Sequence, residues 1–101
     1  MPLSMLEAFA SGLPVVSTGV GGVPAILTDG VHGLLAPPDD AEAVAAQVMR
    51  LLESPDYARQ LAAAARETCV GYEWPVAREG WLAAYRSVAK HPRWVASAQT
   101  I

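Results

Sequence analysis

The chain has 101 residues, enough for one domain with a modest core and too few for a second full domain. Its 52% apolar and 17% charged residues favour burial over disorder, and a net charge of -3 with 7 Lys and Arg residues argues against a general nucleic-acid-binding surface. The single cysteine, Cys69, has no partner for an internal disulfide or a thiolate metal site; this fits a reducing compartment and leaves Cys69 as an ordinary helix residue. No charged residue lies between Glu7 and Asp29, yet Gly12, Pro14, Gly19, Gly21, Gly22 and Pro24 interrupt that stretch too often for a membrane-spanning helix. The N-terminus also lacks the pattern of a secretory leader, so the expected location is cytoplasmic.

In chain order, Leu3, Leu6 and Ala10, with Met5 and Phe9 beside them, have helical spacing from Pro2 to Ser11. Pro2 suits the first turn, and Gly12 is placed to end the helix in a left-handed conformation. Leu13–Ser17 is a short apolar, β-branched run between glycines, which reads as a strand buried on both faces. A helix running directly into such a strand suggests a parallel α/β sheet. The glycine-rich turn Thr18–Gly22 follows, then Pro24 opens a short helix through Thr28. Asp29-Gly30 and His32-Gly33 mark tight turns before a second strand, Gly33–Ala36.

After Pro37-Pro38 the pattern becomes helical. Asp39 and Glu42 have capping-box spacing, and the predicted buried stripe is Ala41, Val44, Ala45, Val48, Leu51 and Leu52. Ser54-Pro55 restarts the chain as N-cap and first residue of another helix, with Tyr57, Leu61, Ala64, Ala65 and Thr68 on one side and an end near Gly71. Pro75 opens a last helix carrying Trp81, Leu82 and Tyr85, and residues 91–101, including Trp94 and Ile101, read as a frayed tail. Two strands cannot cover several helices on both faces, so further strands are expected from preceding chain or from a partner. Exposed apolar faces and an open strand edge also predict self-association of the isolated chain.

Three features can carry chemistry. The helix beginning Pro2-Leu3-Ser4 presents free backbone amides at its positive end, a site suited to phosphate. Glu7, farther into the same helix, is able to accept hydrogen bonds from ribose hydroxyls, or simply to complement the helix dipole. The turn Gly19–Gly22 lets a ligand approach the backbone closely, or serves only as the link between strand and helix. No nucleophilic triad, paired carboxylates or metal-ligand spacing is present, so no catalytic residue and no metal site is assigned. His32, in a glycine-flanked turn, and His91, beside Pro92, are read as surface residues.

The run from Pro2 to Val16, Pro-Leu-Ser-Met-Leu-Glu-Ala-Phe-Ala-Ser-Gly-Leu-Pro-Val-Val, followed by Gly21-Gly22-Val23-Pro24, resembles the donor-site segment of family 4 glycosyltransferases. Asp29–Pro37 resembles the later Asp-Gly-x-x-Gly-Leu-Leu stretch of the same family, and the following helices resemble its C-terminal helices. The resemblance implies an α/β fold: a partial Rossmann-like, C-terminal GT-B domain over residues 1–90, with few parallel strands and a helix-rich C-terminal half. It implies a nucleoside-diphosphate sugar as donor substrate with no other cofactor, a retaining transfer to an acceptor held by an N-terminal domain absent here, and a fragment inactive alone. Glu7 matches the family's ribose-binding glutamate, Leu3 and Ser4 its diphosphate-binding amides, and Gly21 and Gly22 its donor loop; the partner glutamate near the sugar falls before Met1. Ala25 stands where the family commonly carries an acidic residue. A helical interaction module, or the product of a decayed gene, is the competing expectation.

Overall fold

The computed structural model describes residues 2–89. Helix α1 spans Leu3–Ala10, strand β1 Val16–Thr18, β2 Leu34–Ala36, and helices α2, α3 and α4 span Ala41–Glu53, Pro55–Thr68 and Trp74–Val88. Short 3-10 turns occupy Val23–Ala25 and Cys69–Tyr72. Two compact units divide the chain, Met1–Cys69 and Val70–Ile101.

The first unit is built on the parallel pair β1–β2, with Val16 opposite Leu34, Ser17 opposite Leu35 and Thr18 opposite Ala36. Because successive strand side chains point to opposite faces, β2 divides the interior in two. Leu34 packs with Leu51 of α2 and with Ala58 and Leu61 of α3. Leu35 packs against the other cluster, formed by Met5 and Phe9 of α1, Val23, Ile26 and Leu27 of the connection, and Ala65 of α3. Every residue of β1 is only half-buried, short of the full burial expected of it, whereas both faces of β2 carry apolar packing. The alanines of α3 allow this, since Ala58, Ala62 and Ala65 are buried and leave room for neighbouring backbones.

Helix α1 ends where its sequence says it should. Gly12 takes a φ of 71°, its amide donates to the Phe9 carbonyl, and the Leu13 amide donates to the Ala8 carbonyl at 3.0 Å. That pair of bonds is a Schellman motif, which satisfies carbonyls the helix would otherwise leave open.

Several boundaries differ from the sequence expectation. β1 begins at Val16 rather than Leu13, and Leu13 is exposed, because Leu13 is used to close α1. The cap of α2 is Asp40, whose carboxylate accepts from the Ala43 amide at 3.0 Å. Asp39 cannot take that role because its φ of 59° turns it out of the extended conformation a cap needs. The buried stripe of α2 is narrower than its apolar pattern: Leu51 is buried and Val44 and Gln47 are half-buried, while Ala41, Ala45, Val48 and Leu52 are exposed. The Gln47 side-chain amide donates to the Leu35 carbonyl at 3.3 Å, so a polar contact seats α2 beside β2. On α3, Tyr57, Ala64 and Thr68 are half-buried while Ala58 and Ala62 join Leu61 and Ala65 inside. Ser54 stands at the N-cap of α3 without making a side-chain capping bond. Cys69 begins the 3-10 turn after α3, and its thiol donates to the Leu6 carbonyl at 3.6 Å.

In the second unit, α4 starts at Trp74, with Glu73 as N-cap and Pro75 in its first turn. None of its residues is buried. The Trp81 and Tyr85 rings stack on one another at 5.9 Å on its surface. The expected tail 91–101, with His91, Trp94 and Ile101, lies outside the described residues. Among the described residues, no helix is long and apolar enough to cross a membrane.

Candidate functional site

Residues Leu3, Ser4 and Glu7 share one exposed face of α1, because Glu7 follows Ser4 and Leu3 at helical spacings that bring side chains one above the other. Met5 and Phe9 point the opposite way into the core. The sequence thus builds α1 with one face fixed by packing and one face left for solvent or ligand.

The amino end of α1 is open. Pro2 is its N-cap and supplies no side-chain capping bond, and the first turn holds no acidic residue. The Met5 amide returns to the Pro2 carbonyl at 3.1 Å. Among the described residues, the Leu3 and Ser4 amides have no acceptor, which leaves two donors at the positive end of the helix dipole. Glu7 likewise has no ion pair or hydrogen-bond partner there; the salt bridges join Arg59 to Asp56 and Arg78 to Glu79. Two amide donors and an unpaired carboxylate on one face can take an anion and a hydroxylated group joined to it.

Gly21 and Gly22 occupy the centre of a turn closed by the Val23 amide on the Val20 carbonyl at 3.2 Å. Gly21 has φ 57° and Gly22 φ -81°, so the left-handed conformation falls at the first central position and calls for glycine. No hydrogen bond joins this turn to α1 among the described residues. The two are tied through packing, since Val23 directly after the turn lies in the same core cluster as Met5 and Phe9. Ala25 ends the following 3-10 turn and is exposed. Among the described residues, no group of His, Cys, Asp or Glu side chains is arranged to hold a metal ion.

Two side chains of the Asp29–Gly33 loop do more than the sequence suggested. The Leu35 amide donates to Asp29 Oδ1 at 2.9 Å, which fastens the loop to β2. His32 is half-buried rather than a plain surface residue: the Thr28 amide donates to its Nδ1 at 3.1 Å, and its ring lies 6.3 Å from that of Phe9. For Asp29 the signal available in sequence was its place before a glycine, where an Asp side chain commonly bonds nearby backbone; His32 carried no comparable signal.

Residues 1–68 match the family model described as glycosyl transferases group 1. The chain belongs to that family. Relatives within this group of glycosyltransferases include a D-inositol 3-phosphate glycosyltransferase of Frankia alni, 40% identical over 84 residues that cover 83% of this chain and 21% of that protein. An alpha-maltose-1-phosphate synthase of Mycolicibacterium smegmatis is 40% identical over 91 residues, covering 83% of this chain and 24% of its own length. Among solved structures, a sucrose-phosphate synthase from Thermosynechococcus elongatus superposes with a TM-score of 0.76 at 35% identity, over 87% of this chain and 22% of that one. The chain therefore spans about a fifth of the length of these relatives. Two parallel strands wrapped by helices, matching a segment of that synthase, make the fold α/β: a partial Rossmann-like domain of the GT-B type.

Proposed function

We propose that this chain supplies part of the donor site of a retaining glycosyltransferase, which transfers a hexose-type sugar from a nucleoside diphosphate to an acceptor. In this reading the Leu3 and Ser4 amides hold the diphosphate, Glu7 binds the ribose hydroxyls, and the Gly21–Gly22 turn borders the donor. The observation that carries it is the shared face of α1, where two amides and one carboxylate without partners among the described residues stand together on a helix clamped from behind.

The division of labour follows from the chemistry. A diphosphate needs hydrogen-bond donors and positive potential, which a helix amino end provides without a lysine. A ribose diol needs an acceptor able to take two hydroxyl hydrogens, which a carboxylate provides. Transfer itself demands groups on both sides of the sugar as charge develops at its anomeric carbon. The residues of this segment supply one side, so by themselves they are expected to turn over little donor. The donor is the substrate, no metal or further cofactor enters this reading, and the cytoplasm is its proposed place.

The test is calorimetric titration of the chain with ADP, GDP and UDP. At least one is expected to bind, and Glu7→Ala is expected to weaken that binding about 10-fold or more, the loss of a charged hydrogen-bond partner being about 1.5–3 kcal/mol. Equal binding by the wild type and Glu7→Ala would remove the assignment of Glu7.

One observation favours a second reading, a helical interaction module. Trp74, Trp81, Tyr85 and Val88 recur at helical spacing along α4 and are all exposed, with Trp81 at 59%. Partner binding indifferent to Glu7→Ala would support it.

A further inference from the structure

Helix α1 is short. With 8 residues and no side-chain cap it is marginal by itself, so its placement is set by what grips its buried face. Met5 and Phe9 provide that grip, and Phe9 is 0% exposed. Ile26 and Leu27, buried in the same cluster, lead straight into the loop that carries His32.

That loop is fastened at many points. The Val31 and His32 amides both donate to the Thr28 carbonyl at 3.1 Å, and the Gly30 amide donates to the Gly33 carbonyl at 2.9 Å. Asp29 holds the Leu35 amide. Gly33 packs closely at the base of β2, where a Cβ would come within 2.6 Å of the Val15 carbonyl oxygen and 2.9 Å of Leu27, so no side chain fits there. The loop is thus a fixed body against which α1 can be located.

We propose that His32 is a positioning residue for the donor-binding face of α1, an inference that rests on the reading of Leu3, Ser4 and Glu7 above. Its imidazole joins the loop to the helix by two different interactions. Nδ1 accepts the Thr28 N–H, so Nδ1 carries no proton and the ring hydrogen sits on Nε2. That bond orients the ring, and the oriented ring lies 6.3 Å from Phe9 at an interplanar angle of 39°, within the separation at which aromatic rings pack on one another. Phe9 lies on the same helix as Glu7 and on its opposite side, so a ring that locates Phe9 also locates the carboxylate and the amides ahead of it. His32 itself touches no donor atom in this scheme. Its effect is transmitted through α1, where displacements of about 1 Å are enough to cost binding and rate.

The experiment compares wild type with His32→Ala, His32→Asn and His32→Phe by nitrogen-15 NMR and by titration with ADP, GDP and UDP. Asn can return an acceptor near the place of Nδ1, whereas Phe returns the ring without the acceptor. The wild type is expected to show the Nε2–H tautomer and a slowly exchanging Thr28 amide. His32→Ala is expected to lose that protection, to shift the amide resonances of Leu3, Ser4 and Glu7, and to weaken the best-bound nucleoside diphosphate about 10-fold. His32→Asn is expected to recover Thr28 protection and part of the affinity; His32→Phe, kept folded by its ring, recovers no Thr28 protection. An Nδ1–H tautomer in the wild type overturns the proposal, as does wild-type nucleotide affinity in a folded His32→Ala. If His32→Ala does not fold, the contrast between the Asn and Phe variants decides in its place. Should the wild type bind none of the three nucleotides, the donor reading fails separately. The resonances of Leu3, Ser4 and Glu7 then still judge whether His32 places α1, by moving in His32→Ala or staying where they were.

Discussion

Helices α3 and α4 make an instructive pair. They are similar in length, 14 and 15 residues, and each carries a proline in its first turn. Helix α3 carries alanine and charged residues and only one large aliphatic side chain, yet it buries Ala58, Leu61, Ala62 and Ala65. Helix α4 carries Trp74, Trp81 and Tyr85 and buries nothing. Apolar content therefore does not decide which helix is inside. Within its unit α3 meets α1 and α2 and can approach them closely because its contact residues are small, whereas in its own unit α4 has no second helix or sheet face laid over its aromatic stripe among the described residues.

The contrast is broken most severely at Phe9. Its fully buried ring fills the cluster that joins α1, the connection and α3, so Phe9→Ala leaves a cavity costing about 3–5 kcal/mol. A chain of this size has a total stability of only about 5–15 kcal/mol, and the expected outcome is a large fall in the urea midpoint of unfolding. A midpoint close to that of wild type would mean that the first unit is not held by this cluster. Nucleotide binding should fall with it, since Glu7 depends on the same helix.

The next effect is smaller and tests where α2 begins. Asp40→Ala removes the side-chain bond to the Ala43 amide and is expected to cost about 1 kcal/mol, read as a lower melting temperature. Asp39→Gly is expected to hold or slightly raise the melting temperature, because it relieves a φ of 59° at no loss of a capping bond. The reverse order of the two variants would restore the capping-box reading of Asp39 and Glu42.

What was legible in the sequence separates along the same line as the helices. The end of α1 at Gly12 and the helical starts near Ser54 and Pro75 rest on local chemistry, since glycine admits a left-handed turn that other residues avoid and proline fixes φ at a helix start, while the parallel pair followed from a helix running directly into an apolar strand. The exposed face shared by Leu3, Ser4 and Glu7 follows from helical spacing alone. Choices between adjacent residues were not legible: Asp39 and Asp40 have identical side chains, and only the left-handed backbone at Asp39 tells them apart. Nor was the buried face of α2, because the apolar residues Ala41, Val44, Ala45, Val48, Leu51 and Leu52 form a stripe wider than the face the fold covers, where Leu51 is buried and Val44 half-buried. Gln47 was missed because a polar residue reaching the Leu35 carbonyl leaves no mark in a hydrophobic pattern. His32 was underestimated because its partners, Thr28 and Phe9, become neighbours only after the loop folds back on α1.

The smallest expected effect is the most discriminating for α4. Trp81 is 59% exposed and its stacking partner Tyr85 57%, so Trp81→Ala removes little buried surface and one helix-surface pair worth about 0.2–0.5 kcal/mol. Measured on the monomer at low concentration, the unfolding midpoint should move by less than about 0.5 kcal/mol equivalent, the ordinary range for a surface site. A loss of several kcal/mol would show that something covers the stripe in solution. If that loss grows with protein concentration, the cover is a second copy of the chain, because stabilisation by association follows mass action. If it does not grow, α4 is packed within its own chain, and its contrast with α3 is one of degree.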